Sequence, residues 1–296
     1  MNTSTNLVPA GALEQYVTAA GGRFRVLTGL TEGDRTPILL IHGGGSDSAA
    51  VSWFRLIEPL SLDRPVIAPD LPGFGNTTGI DPVSSSAETA DRLRLLLTEL
   101  GCDRVVVCGV SMGGEIAVQF ALRHPEATAA LVAIAPGGFI RRYKNSVAQF
   151  LAWLALTPPE SVNNAMVDVA NRYARASLSR VVQDISTLPP EAADEYVRQA
   201  RIPGSTRAYL RYNKAAIGPG RMRNNLLPQL PDITAPTLIF HGEDDPLVDP
   251  AGSVEAAGLI PSARLVMVPR CGHWAQLEVH DRFLTELGGF LSDVDV

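Results

Sequence analysis

Val105-Val106-Val107-Cys108-Gly109-Val110-Ser111-Met112-Gly113-Gly114 is the stretch on which the fold turns. Its apolar, largely β-branched run reads as a buried strand, and Glu115-Ile116-Ala117-Val118-Gln119-Phe120-Ala121-Leu122 continues at once in a helical pattern. Strand, tight turn and helix in that order predict an elbow that lifts Ser111 out of a sheet. Glycines at the second position before and after the serine leave room for neighbouring backbone, so the serine can be held strained with its hydroxyl exposed and a helix N-terminus behind it. Gly-x-Ser-x-Gly also arises by chance. The reading therefore depends on a base, an acid and an oxyanion hole standing in the loops that such a turn requires.

On the amino-terminal side, Tyr16-Val17-Thr18 and Phe24-Arg25-Val26-Leu27 flank Gly21-Gly22 as an edge hairpin. Pro37-Ile38-Leu39-Leu40-Ile41 is a strand covered on both faces, and it ends in His42-Gly43-Gly44-Gly45. A helix around Trp53 to Leu60, the strand Pro65 to Ala68, the turn Asp70-Leu71-Pro72-Gly73-Phe74-Gly75 and a helix from Glu88 to Leu100 follow. Beyond the serine helix, Ala130 to Ile134 is another buried strand. Alternation of this kind predicts an α/β protein with a mostly parallel, doubly wound sheet. It stops over residues 138–227, which are helical in pattern and punctuated by Pro158-Pro159, Pro189-Pro190 and Gly218-Pro219-Gly220. We read that region as a helical cap inserted into a core of residues 1–137 and 228–296, since a structureless loop of such length is implausible. The sheet resumes at Pro236 to Phe240 and Arg264 to Val268, and a helix runs from about Asp281 to Leu291.

Serine needs a base to take its proton and a carboxylate to orient that base. In a parallel sheet these groups converge from loops at the carboxyl ends of strands. His273, in Cys271-Gly272-His273-Trp274 after the last strand, is the candidate base. Glu243-Asp244-Asp245, after the preceding strand, holds the acid, and spacing alone does not choose among the three. His241 and His42 read as structural hydrogen-bonding groups, His124 and His280 as solvated residues on or beside helices. The glycines after His42 allow close backbone approach to substrate, so the oxyanion donors are expected to be the N–H groups of Gly44 and Met112.

Composition narrows the setting. The chain of 296 residues is 46% apolar with a net charge of −6, and no basic run points to nucleic acid. Met1 to Asn6 carries no leader pattern, and no apolar run reaches spanning length, so a cytoplasmic protein without a membrane partner is expected. Cys102, Cys108 and Cys271 are odd in number and scattered, which favours free thiols over disulfides or a metal site. No cofactor and no metal are implied. The expected partner is a small-molecule substrate, and a homo-oligomer is left open.

Together, His42-Gly43-Gly44-Gly45, Asp70 to Gly75, Gly109 to Gly114, Gly242-Glu243-Asp244-Asp245 and Cys271 to Gln276 resemble the α/β-hydrolase superfamily over nearly the whole chain. The likeness is strongest to hydrolases that cleave a carbon–carbon bond in meta-cleavage products. The resemblance implies the α/β-hydrolase fold, selects Asp245 as the acid, and places in the substrate site Trp274, a cap arginine, best matched by Arg201, and Val110, which stands where that branch has a substrate-binding asparagine. Ser46-Asp47 stand where the branch has Pro-Gly. Because valine cannot donate a hydrogen bond, the first expectation is a serine hydrolase of small carboxylic esters, including monoesters with a free carboxylate. The alternative is a carbon–carbon bond hydrolase acting on a dienoate. A receptor, oxygenase or lyase on the same fold is disfavoured by the complete catalytic set.

Overall fold

A computed structural model describes residues 6–29 and 35–296. The amino-terminal residues 1–5, read above for a leader, lie outside the described residues. The edge hairpin is β1 (Ala12–Ala19) and β2 (Gly22–Gly29), paired antiparallel and closed by Ala20 and Gly21, both at positive φ. It continues as β3 (Ile38–Ile41), β4 (Val66–Pro69), β5 (Val105–Val110), β6 (Thr128–Ile134), β7 (Thr237–Gly242) and β8 (Ala263–Val268). One sheet of eight strands results, in the order β1-β2-β4-β3-β5-β6-β7-β8, parallel from β4 to β8. From β3 the chain first winds outward to β4, then returns past β3 to β5. The carboxyl ends of β3 and β5 therefore flank the point where winding reverses, the usual place for a ligand crevice in such sheets.

Residues of β3 to β7 are buried throughout, and alternate residues feed two separate cores. Val106, Cys108 and Val110 pack with Leu40, Val132 and Phe240 on one face, whereas Val105 and Val107 pack with Leu39, Leu131 and Ile239 on the other. The expected helix around Trp53 is instead two short helices, α1 (Ala49–Ser52) and α2 (Ile57–Ser61). Pro59 explains the break: it lacks an N–H and clashes one turn back, and it is tolerated within the first turn of α2. Next come α3 (Ser86–Glu99), capped by the Ser85 hydroxyl, and α4 (Met112–Arg123).

Between β6 and β7 stand α5 (Ser146–Leu156), α6 (Glu160–Ala170), α7 (Ala174–Leu178), α8 (Pro190–Ala200) and α9 (Arg207–Ala216), with no strand among the described residues. The two ends of this insertion belong to the main core, because Phe139, Leu226 and Leu227 are buried with the sheet. Helices α10 (Ala251–Leu259), α11 (Ala275–Glu278) and α12 (His280–Asp293) complete the chain. No helix among the described residues is long and apolar enough to cross a membrane.

Candidate active site

Ser111 sits between β5 and α4 at φ 57° and ψ −120°, a strained conformation for a residue with a side chain. The glycines around it are there for space. A Cβ on Gly109 would lie 2.1 Å from the Gly113 carbonyl oxygen, and one on Gly113 would lie 2.2 Å from that of Ile41. Backbone cannot yield as a side chain can, so the elbow fits only with glycine at both positions. Met112 opens α4, where its N–H has no intrahelical acceptor. Neither it nor the Gly44 N–H has a protein acceptor among the described residues.

The Gly44 loop is braced from two sides. Leu71 N–H donates to His42 Nε2 at 2.9 Å, so the ring proton is on Nδ1, which donates to the Gly43 carbonyl at 2.8 Å. Asp47, fully buried, accepts from Gly43 N–H at 2.8 Å, Ser48 N–H at 2.8 Å and the Ser52 hydroxyl at 2.5 Å. Burial pushes the Asp47 carboxyl up, against the pull of His42 and these donors. Sequence reading registered Asp47 only as a departure from Pro-Gly. An Asn at this position would turn an amide N–H₂ toward one of the three donors. Asp47→Asn is expected to lower kcat about 10- to 100-fold with KM little changed, because it disturbs the placement of Gly44. Steady-state kinetics on a soluble ester reads this split.

Of the three acids after β7, Glu243 and Asp244 are exposed and Asp245 is buried. Its Oδ2 accepts from His273 Nδ1 at 2.6 Å and from His241 Nε2 at 2.9 Å, and its Oδ1 accepts from the N–H groups of Leu247 and Val248. Burial alone would raise this carboxyl, but the hydrogen bonds from His241 and His273 outweigh it and hold Asp245 well below the usual carboxylate range. His241 Nδ1 accepts from the Ser253 hydroxyl at 2.7 Å, which fixes that ring's tautomer too. The second imidazole on Asp245 was not legible as such in the sequence. His273 is buried, and its backbone N–H donates to the Val181 carbonyl at 2.8 Å, so the loop that carries it is held from the insertion as well. Ser111 and His273 are not hydrogen-bonded to each other here.

An inner cavity of about 120 Å³ opens on Ser111 and Met112 and is walled by Tyr209, Tyr212, Ile217 and Met222. It shares Ile140, Tyr143 and Leu247 with an outer chamber of about 280 Å³ that reaches Asp245. No Lys or Arg lines the inner cavity. The insertion forms its roof: a Cβ on Gly44 would collide with the Tyr209 ring of α9. Tyr212 donates its hydroxyl to Glu115, which also accepts from Ser86 and Asn224, both at 2.5 Å, and so ties the insertion to the serine helix.

Three substrate-site expectations need correction. Arg201 is exposed at the C-terminus of α8, one residue past the inward-facing Ala200, and has no ion pair among the described residues. Val110 follows the alternation of β5 into the core with Val106 and Cys108 and lines neither the inner cavity nor the outer chamber. Trp274 is buried edge-on against Tyr196 of α8, ring centroids 5.6 Å apart, and supports the insertion instead of lining the cavity. His124, expected to be solvated, pairs with Asp91 at 3.0 Å, and His280 is half-buried.

Comparison with known proteins adds relatives. The pattern of the alpha/beta hydrolase fold family matches residues 36–279. A 2-hydroxymuconate semialdehyde hydrolase of Pseudomonas putida is 30% identical over 275 residues, 89% of this chain and 90% of its own. Among solved structures, a membrane phospholipase A described as a bacterial virulence factor superposes with a TM-score of 0.79 at 28% identity, covering 97% of this chain and 87% of that one. A meta-cleavage product hydrolase from Pseudomonas fluorescens IP01 gives 0.75 at 27% identity, covering 94% and 97%.

Proposed function

Because the chain belongs to the α/β-hydrolase family, we propose that it is a serine hydrolase that cleaves a small, neutral carboxylic ester through an acyl-enzyme. The observation that carries this reading is the buried His273–Asp245 pair at 2.6 Å, on the same cavity system as a strained Ser111.

Asp245 fixes the proton on His273 Nδ1 and leaves Nε2 free as the base. Ser111 Oγ attacks the ester carbonyl as Nε2 takes its proton, a contact that closes when substrate orders the site. The resulting oxyanion receives the N–H groups of Met112 and Gly44. Collapse returns the proton from His273 to the departing alcohol, and water repeats the sequence on the acyl-enzyme. The helical insertion acts as a cap that sets acyl size through Tyr209 and Tyr212. A cytoplasmic setting fits three free thiols, two of them buried.

The lining of the inner cavity favours ester cleavage. A dienoate carries a carboxylate best held by a cation, whereas the inner walls offer only neutral hydrogen-bonding groups such as Asn213 and Tyr209, and about 120 Å³ suits a short acyl group. With Arg201 on the surface, the cations on this cavity system are Arg142 and Lys144 of the outer chamber, outside the inner cavity that holds Ser111. Names among the relatives favour carbon–carbon cleavage as the second reading, since two of the three are hydrolases of muconate-semialdehyde or meta-cleavage compounds, and the phospholipase is an ester hydrolase. A panel of p-nitrophenyl acetate to octanoate against a 2-hydroxy-6-oxo-dienoate separates them. We expect kcat/KM to be highest for the short esters and at least about tenfold lower for the dienoate. Rapid dienoate cleavage with negligible ester turnover would overturn the ester assignment.

A further inference from the structure

Charge is unevenly divided over this molecule. Residues 138–227 hold thirteen Lys and Arg against six Asp and Glu, a formal +7, while the remainder holds twelve against twenty-five, a formal −13. The net −6 conceals this separation. Such a dipole turns the insertion toward any anionic surface.

The outermost layer of the positive end is apolar. Helix α5 contains no charged residue, and Val147, Phe150, Leu151 and Leu154 fall at the i, i+3, i+4, i+7 spacing of one stripe, each 47–69% exposed. Helix α6 repeats the arrangement with Val162, Met166 and Val169. Both helices rest on α9. Gln149 marks the inward side of α5, donating to the Gly218 carbonyl at 2.6 Å and accepting from Tyr143 N–H at 2.7 Å. The stripes therefore face away from the protein, and a patch of this kind marks an interaction surface.

Its chemistry is that of a membrane interface. Eleven residues make α5 about 16 Å long, far short of a bilayer's ~30 Å core but suited to lying in its plane, with the tilted rings of Phe150 and Trp153, centroids 5.5 Å apart, as interfacial aromatics. Immediately before it, Arg142 donates to the Ser146 hydroxyl and Lys144 lies over the Tyr143 ring, and neither pairs with a carboxylate among the described residues. Both are available to lipid phosphates. These same residues line the outer chamber that leads to Ser111.

We propose that the outer face of α5 and α6 docks in the plane of an anionic lipid bilayer, with Arg142 and Lys144 at phosphate level and the chamber mouth at the surface. Only the consequence, delivery of lipid-dissolved esters to Ser111, rests on the ester reading above. This proposal departs from the expectation of no membrane partner, which was drawn from the lack of a leader and of a spanning run and took no account of a helix lying in the interface.

Docking is tested apart from catalysis by using the Ser111→Ala protein in co-sedimentation with phosphatidylcholine vesicles, with and without phosphatidylglycerol. Binding is expected with phosphatidylglycerol only. It should fall at least about tenfold in Phe150→Ser/Leu151→Ser, in Arg142→Glu/Lys144→Glu and at high salt. Unchanged melting temperatures show that these surface variants fold. Absence of sedimentation at low salt, or equal sedimentation of the variants, would overturn the proposal. So would a concentration-dependent dimer in light scattering that Leu151→Ser dissociates, since the face would then belong to a second copy.

Discussion

Ser111→Ala should lower kcat on the best ester by about 10⁴- to 10⁶-fold while KM stays within a few-fold, because the hydroxyl acts in bond formation and little in binding. His273→Ala should cost about as much, and the double variant little more, since the groups act as one unit. Asp245→Asn should lose about 10⁴-fold by spoiling the His273 tautomer. The three differ in stability. Ser111→Ala removes nothing that packs, whereas the Asp245 carboxylate serves four donors, His273, His241 and the N–H groups of Leu247 and Val248. The Asp245 variant should therefore melt several degrees lower and the serine variant should not. Initial rates with a melting curve on each protein check both halves. Ser111→Ala retaining activity within tenfold of wild type would remove the acyl-enzyme from consideration.

What could be read in advance divides along the range of the interaction. The elbow was legible because its constraint is local: a β-branched run, two glycines forced by backbone approach, and a helix whose first N–H groups are free. The buried strands β3, β5 and β6 were legible for the same reason, but a strand apolar on both sides hides its phase. Val110 therefore read as a substrate contact although alternation sends it into the core with Cys108. Arg201 failed differently. The arginine-rich insertion offers many candidates, and only the rotation of α8, which buries Val197 and Ala200, shows that Arg201 points outward. His241 reached Asp245 unannounced because the turn that follows β7 folds the carboxylate back under the strand end. Asp47 was hidden because its three donors come from the glycine loop and from both ends of the short helix α1, with no periodicity to betray it. Total charge, finally, averaged two opposite halves into a number that describes neither.

Asp70→Ala is expected to cost about 3–5 kcal/mol of stability, lowering the melting temperature by about 10 °C at roughly 2–4 °C per kcal/mol. Asp70 opens the Leu71-Pro72-Gly73-Phe74-Gly75 turn and is fully buried. It accepts from Ala49 N–H at 3.0 Å, from Asn76 N–H at 2.9 Å and from Arg25 Nη1 at 3.2 Å. Arg25 is itself 1% exposed, held otherwise by Glu14 at 2.5 Å and the Leu7 carbonyl at 2.6 Å. Removing Asp70 thus strands two N–H groups and half-strips a buried guanidinium of its counter-charge. Glu14→Ala, which removes the more exposed of the two carboxylates on Arg25, should cost about 1 kcal/mol or less. Asp70→Asn keeps one acceptor oxygen and should fall between the two. Because Leu71 N–H holds His42, and His42 holds the Gly43 carbonyl, the Asp70 variant should also lose turnover through a misplaced Gly44. Urea unfolding of the three variants decides the matter: equal midpoints would mean that the turn is carried by its glycines and by packing of Phe74 on His42, with the buried ion pair contributing nothing.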